Sequence, residues 1–316
     1  TVFNKKWFLT YLILDRPGKL GRLRFQAGGN KIERAVYVTA PSVAVPVGLN
    51  DEHNLALEDD EVVADWLWGR YEKTVTLSQV LMQRIQGALS YGNFLDGKLN
   101  EGKRAVADKV GVDLITGNAT NAIVGAELAV DSADPSARNY GNLDRDTYAR
   151  WASLEKNYAN RATAPVFDDD GTSKLKITRP SLSKILKFKD NDNVDFLIMD
   201  VPTLDRIEAL MFTNQRLTDP ITGRLGFKAF LVEEKAYAYY DNDITAEVML
   251  GLDSSTWEVV VNSNVPGVSA NSLVGYRDFV INRRGSQQTS LLIAELCPIC
   301  TNPIRNFKVT EISATA

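Results

Sequence analysis

The sequence predicts a mixed α+β fold, on three observations. Val36, Val38, Val43, Val45, Val47 and Leu49 alternate with other residues at the period of two expected of extended chain. Leu95, Leu99, Val106, Val110 and Leu114 recur at spacings of four and seven, the stripe of one long helix. From about Arg161 onward, short strand and helix patterns alternate, as in a compact domain where both element types share a core.

The 316 residues suffice for one large or two modest domains, and 44% apolar content is enough to bury a sizeable core. A net charge of -4 argues against a chain whose main task is to wrap nucleic acid, because phosphate binding needs clustered cations. The charge is unevenly spread. Residues 1–35 hold Lys5, Lys6, Arg16, Lys19, Arg22, Arg24, Lys31 and Arg34 against Asp15 and Glu33. Residues 51–65 hold Asp51, Glu52, Glu58, Asp59, Asp60, Glu61 and Asp65 with no Lys or Arg. Either these regions attract each other across subunits, or both are solvated faces that never meet.

Residues 1–28 read as a basic, apolar arm. Its run Trp7–Leu14 is too short for a membrane helix and meets Asp15, Arg16 and Pro17 without a small-residue cleavage site, so neither a span nor a signal peptide is expected. The expected chain is soluble, with no membrane partner. A start at Thr1 fits removal of Met or cleavage of a longer precursor.

Residues 29–77 read as a two-stranded excursion. Pro41 and Pro46 confine its first limb to a sheet edge, where a missing N–H is tolerated. The returning limb, Val62 to Val75, is expected to place Trp66 and Trp68 on one face and Leu67, Tyr71 and Val75 on the other, with an acidic tip at Asp51 to Glu61 between the limbs. An isolated ribbon is marginal in water, so it lies either on a neighbouring subunit or back on its own domain.

Residues 78–160 carry the long helix. Leu77 and Ser78 offer a helix start, and Gly117 and Asn118 the stop. The stretch from Gly92 to Thr116 would be some 36 Å long at about 1.5 Å per residue. Gly92, Gly97, Gly102 and Gly111 each cost about 1 kcal/mol against Ala in a helix. They imply close approach of other backbone, or a break at Gly92 or Gly97.

Residues 161–283 read as the compact mixed region. Strands are expected at Lys174–Thr178, Asp195–Met199, Phe227–Val232, Ala236–Tyr240 and Trp257–Val261. Helices are expected from Pro180 to Phe188 and behind Asp200, a candidate N-cap, with Leu204, Ile207, Leu210 and Met211 inward. Residues 284–316 supply returning strands.

No catalytic, cofactor or metal motif emerges. His53 is the single histidine and lies in the acidic tip, which leaves Ser-His-Asp and Cys-His arrangements one improbable residue. Cys297 and Cys300 form C-P-I-C without the further ligands a structural zinc needs, and they follow a strand-like run, so they read as two reduced thiols near a strand end. The acidic stretches at Asp168–Asp170 and Asp190–Asp192 lack the Gly and twelfth-position Glu of a calcium loop and read as polar turns. Gly18, Gly21, Gly28 and Gly29 lack P-loop spacing.

Several stretches resemble, in order, the major capsid proteins of tailed bacteriophages, with their Hong Kong 97-type fold. They are VVADWLWGRYEKTVTLSQ from Val62, QGALSYGNFLDGKL from Gln86, VGVDLITGNATN from Val110, YGNLDRDTYARW from Tyr140, DFLIMDVPTLDRIEALM from Asp195 and CTNPIRNFKVTEIS from Cys300. The resemblance implies an N-terminal arm, an extended loop across a neighbouring subunit, a peripheral domain with a long spine helix and C-terminal strands, and an axial domain. It further implies a homo-oligomer of pentamers and hexamers in an icosahedral shell, with double-stranded DNA on the inner face and scaffold, portal and decoration proteins as partners. The location would be the virion, and the host cytoplasm during assembly. Some members weld subunits through Lys–Asn bonds, but here Lys31 and Lys73 lie near the loop's base and none at its tip, so such links are not implied.

The expected role is self-assembly. The intersubunit contact candidates are Arg16, Lys19, Arg22 and Arg24 on the arm, Asp59, Asp60 and Glu61 at the tip, and Trp66, Trp68 and Tyr71 in the loop. An encapsulin-like nanocompartment shell is the nearest alternative, and a soluble enzyme with a site between the two halves is the alternative of another class.

Overall fold

The computed structural model describes residues 23–38, 61–78, 88–118, 123–132, 139–188, 191, 193–210, 229–233, 235–268, 274–281 and 287–313. Strands β1 (Leu23–Gln26), β2 (Lys31–Tyr37), β3 (Glu61–Leu67) and β4 (Gly69–Ser78) precede helix α1 (Ala88–Thr116) and the short helix α2 (Ala126–Ala129). Short strands β5 (Asn139–Tyr140), β6 (Leu143–Asp144), β7 (Leu154–Lys156), β8 (Asp168–Asp169) and β9 (Leu175–Lys176) lead to α3 (Arg179–Leu186), β10 (Phe196–Met199) and α4 (Val201–Leu210). Then come β11 (Ala229–Val232), β12 (Ala236–Tyr240), β13 (Met249–Leu252), β14 (Trp257–Asn262), β15 (Gly275–Ile281), β16 (Gln287–Cys300) and β17 (Phe307–Val309).

Two sheets organise the molecule. The first is built around β16, whose Gln288–Ile293 stretch pairs antiparallel with both β4 and β15, which therefore lie on its opposite edges. β14 pairs with the far end of β16, and β1 joins β14 in parallel. Helix α1, 29 residues and about 43 Å long, lies on this sheet. Val106, Val110 and Leu114 of its predicted stripe are buried, whereas Leu95 and Leu99 are only partly covered. Gly102 is where the helix comes closest: a Cβ there would sit 2.5 Å from Leu292 Cδ1 and 3.0 Å from Val75 Cγ2. At Gly117 a Cβ would fall 2.3 Å from the Asp113 carbonyl oxygen, so a residue without a side chain lets the chain leave the helix there.

The second sheet has the order β11-β12-β10-β13-β17-β7. Within β10, Phe196 and Ile198 join the core shared with the first sheet, while Leu197 and Met199 join a second core with α3 and α4. A strand buried on both faces has no polar side to display, which is why this stretch reads as an unbroken apolar run. Thr178 and Ser181 close a reciprocal cap at the start of α3, with Pro180 in its first turn. Asp200 accepts from Thr203 N at 3.2 Å at the start of α4, as its N-cap role predicts.

The structure redraws several sequence-based boundaries. Leu77 and Ser78 end β4 instead of opening a helix, and α1 begins by Ala88 without a break at Gly92 or Gly97. The returning limb is two strands, with β3 pairing β2 and β4 belonging to the first sheet. β14 and β15, placed by sequence with residues 161–283, belong to the sheet under α1. β7 and β17 instead complete the second sheet, because β17 pairs β13 on one side and β7 on the other. The first limb's Val43–Leu49 pattern, Pro41, Pro46 and His53 lie outside the described residues.

Candidate assembly surfaces

The β2–β3 ribbon has two unlike faces. Its register pairs Ile32 with Trp66, Arg34 with Ala64 and Val36 with Val62. Strand alternation sends this set inward, and Ile32, Val36, Ala64 and Trp66 are buried. Trp66, 3% exposed, meets Tyr140 edge-on at 5.8 Å between ring centroids and Trp151 at 6.4 Å. Trp151 Nε1 donates to the Tyr140 carbonyl at 2.7 Å, and Tyr140 Oη accepts from Cys300 N at 2.7 Å, which ties the aromatic cluster to β16.

Two contact candidates are thereby corrected. Trp66 packs the subunit's own core and presents no face to a neighbour. Tyr71 is likewise buried, its hydroxyl donating to Asp113 Oδ2 at 2.9 Å, and burial with the adjacent carboxylate pushes its phenol well above the usual range. Of the two placements the sequence leaves open, the inward face of the ribbon takes the second and packs back on its own domain. Trp68 is half-buried at the step between β3 and β4, and its Nε1 donates to the Gly29 carbonyl at 2.8 Å.

The outward face carries Tyr37, Val63 and Leu67, which are 66%, 59% and 68% exposed. Sequence reasoning missed these three. The signal was available, because once Trp66 points inward the period of two sends Val63 and Leu67 outward. Lys31 and Asp65 pair across the strands at 2.6 Å, and this contact raises the amine and lowers the carboxyl.

The charged candidates divide. Glu258 on β14 is 2% exposed and takes Arg24 Nε and Arg34 Nε, each at 2.9 Å. Arg24 therefore anchors β1, and Arg34 the ribbon, within the subunit, although half of the Arg24 side chain stays in solvent. Arg70 reaches Glu295 at 3.1 Å, and Asn262 Nδ2 donates to the same carboxylate at 2.5 Å. Glu61 is exposed at the start of β3. Arg16, Lys19, Arg22, Asp59 and Asp60 lie outside the described residues, so their contact role stays an expectation.

Cys297 and Cys300 are free and buried in β16, and burial pushes both thiols up to about 12. Unreactive packing groups are what such a shift describes. Asp170 accepts from Thr172 N and Lys174 N, the polar turn expected of that stretch. Among the described residues no group of three or more His, Cys, Asp or Glu could hold a metal ion, and no helix is long and apolar enough to cross a membrane.

No protein-family model matches this sequence, and no curated protein matches it. Solved structures do. The cyanophage A-1(L) capsid asymmetric unit aligns with 92% of this chain and 90% of that one, at TM-score 0.61 and 13% identity. The SrpI encapsulin complex from Synechococcus elongatus PCC 7942 aligns over 96% and 92%, at TM-score 0.55 and 9% identity. The capsid of a native GTA particle aligns over 92% and 89%, at TM-score 0.54 and 10% identity. Near-complete overlap in both directions makes the likeness one of the whole architecture, and the chain has the Hong Kong 97-type capsid fold.

Proposed function

We propose that this chain is the major structural subunit of an icosahedral phage head, acting by self-assembly and not by catalysis. The fold supports this reading, and the outward face of the β2–β3 ribbon carries it: Tyr37, Val63 and Leu67 spend apolar area in water on a two-stranded element unless a neighbour covers them. Each such contact can be modest, because closure of rings and shell makes many repeated contacts cooperative. The ribbon is then the extended loop lying on the adjacent subunit, α1 the spine helix, and the second sheet the core of the axial domain. Packaged double-stranded DNA on the inner face, with scaffold, portal and decoration proteins, completes the proposal, with the virion as its location and the host cytoplasm as its place of assembly.

Electron microscopy with light scattering on the purified chain tests the reading. Closed particles or capsomer rings are expected, and Val63→Lys with Leu67→Lys is expected to abolish them while leaving a folded subunit. A wild-type chain that stays near its 35.0 kDa mass under all assembly conditions, scaffold included, would refute it. The similarity to an encapsulin complex favours one second reading, a nanocompartment shell. Nuclease-protected DNA in particles from the source cell supports the phage head, and protein cargo supports the nanocompartment.

A further inference from the structure

The loop that follows β7 is tied down from beneath and displays an apolar side chain above. Lys156, the last residue of β7, is 1% exposed, and among the described residues no carboxylate pairs with it. Its Nζ donates instead to the Asn160 carbonyl at 3.3 Å, the Thr163 carbonyl at 2.9 Å and Thr163 Oγ1 at 2.6 Å. Phe167 N closes the loop by donating to the Arg161 carbonyl at 3.0 Å. Pro165 and Phe167 are buried, and between them Val166 stands 45% exposed. A buried ammonium is tolerated only when its hydrogen bonds are made, and here those bonds fix the segment that holds Val166 in water.

Val166 and Pro165 form one wall of a groove of about 680 Å³, and Pro180, Ser183, Lys184 and Lys187 on and just beyond α3 form the other. Both lysines are exposed, and among the described residues neither has a carboxylate partner. α3 has eight residues and is about 12 Å long, the reach of roughly four residues of extended chain. Three residues apart, the lysines share a rim with Cβ atoms about 5–6 Å from each other. Alternate side chains of an extended strand project on one side at about 6.6 Å. A strand that alternates acidic and apolar residues can therefore set its carboxylates on the lysines while its apolar side chains meet Val166 and Pro165. We propose that this groove is a docking site for such an alternating acidic–apolar strand from a protein other than this chain. No stretch of this sequence runs acidic, apolar, acidic, apolar, so a second copy does not supply it. The proposal goes beyond the shell reading and does not depend on it.

Fluorescence anisotropy on the full chain tests it, with labelled, end-blocked tetrapeptides as probes. Glu-Leu-Glu-Leu should bind saturably, and Glu-Glu-Leu-Leu, equal in charge and composition, should bind several-fold more weakly. Lys184→Glu with Lys187→Glu should weaken the first peptide by about tenfold or more and take up Lys-Leu-Lys-Leu in its place, since the charge at each contact is reversed. Val166→Asp should weaken Glu-Leu-Glu-Leu with both lysines intact. All three positions are partly or fully exposed, and circular dichroism should show the variants folded. Absence of saturable binding to the folded chain would overturn the docking. So would equal binding of the two acidic peptides, which is charge attraction without a groove, or binding to free subunits that is lost in assembled particles, which places a second copy in the groove. A wild type that forms no particles fails the shell reading alone, because the peptide is measured on the subunit.

Discussion

Trp66 shows how one residue fixes the phase of a strand. Its indole packs against the stacked pair Tyr140 and Trp151 and, with Ile32, Val36 and Ala64, keys the β2–β3 ribbon to the subunit core. Trp66→Ala should destabilise the subunit by about 3–5 kcal/mol, the range for truncating a buried aromatic, read as a lower denaturant midpoint. Trp66→Phe should lose much less. Equal stability of all three would mean that the ribbon is held from outside the subunit. The sequence displayed the tryptophan and its alternation but not the sign of the alternation, which depends on where Tyr140 and Trp151 arrive from distant parts of the chain. Tyr71 was misread for the same reason, since Asp113 is its partner only after α1 lies across β4.

The long helix was legible to within a turn because its stripe is periodic and local. What its glycines do was not legible, and the structure separates them. Gly102 touches Leu292 and Val75, so Gly102→Leu should force the helix off the sheet and cost the isolated subunit about 1–3 kcal/mol as an overpacked core. Gly97 meets nothing within 4 Å among the described residues. Gly97→Ala should therefore stabilise the subunit by about 0.5–1 kcal/mol through helix propensity alone. The informative comparison is thermal unfolding of subunits against particle yield. A more stable Gly97→Ala subunit that assembles less well shows that a neighbour approaches the helix there, and unchanged assembly shows a position open in the shell as well.

Between the two sheets, the chain's order in sequence gives way to its order in space. Strand-by-strand reading could place β10 and β12 correctly, but not β17 between β13 and β7, because that pairing joins the C-terminus to residues some 150 positions earlier. A buried charge cluster sits at this joint. Lys308 Nζ on β17 lies 2.7 Å from Asp131 Oδ2 and 3.9 Å from Glu155 Oε1, and Ser132 Oγ donates to Glu155 at 2.5 Å. Burial, with Asp131 nearby, raises the Glu155 carboxyl above its ordinary range. Lys308→Met keeps the length of the side chain but strands two buried carboxylates, which should cost about 3 kcal/mol at pH 7. The sign of the pH dependence follows from linkage. Loss of the ammonium raises Glu155 further in the folded variant. As pH falls through that raised value the fold takes up a proton that the unfolded chain does not yet bind, and stability is regained at up to about 1.4 kcal/mol per pH unit per proton. Below the ordinary glutamate value, 4.5, both states are protonated and the gain stops. Denaturant unfolding of both proteins from pH 7 to pH 5 should therefore show the deficit shrinking. A constant deficit would mean that Lys308 joins the sheets by packing its aliphatic stem, and that the charges at this joint are incidental to holding the subunit together.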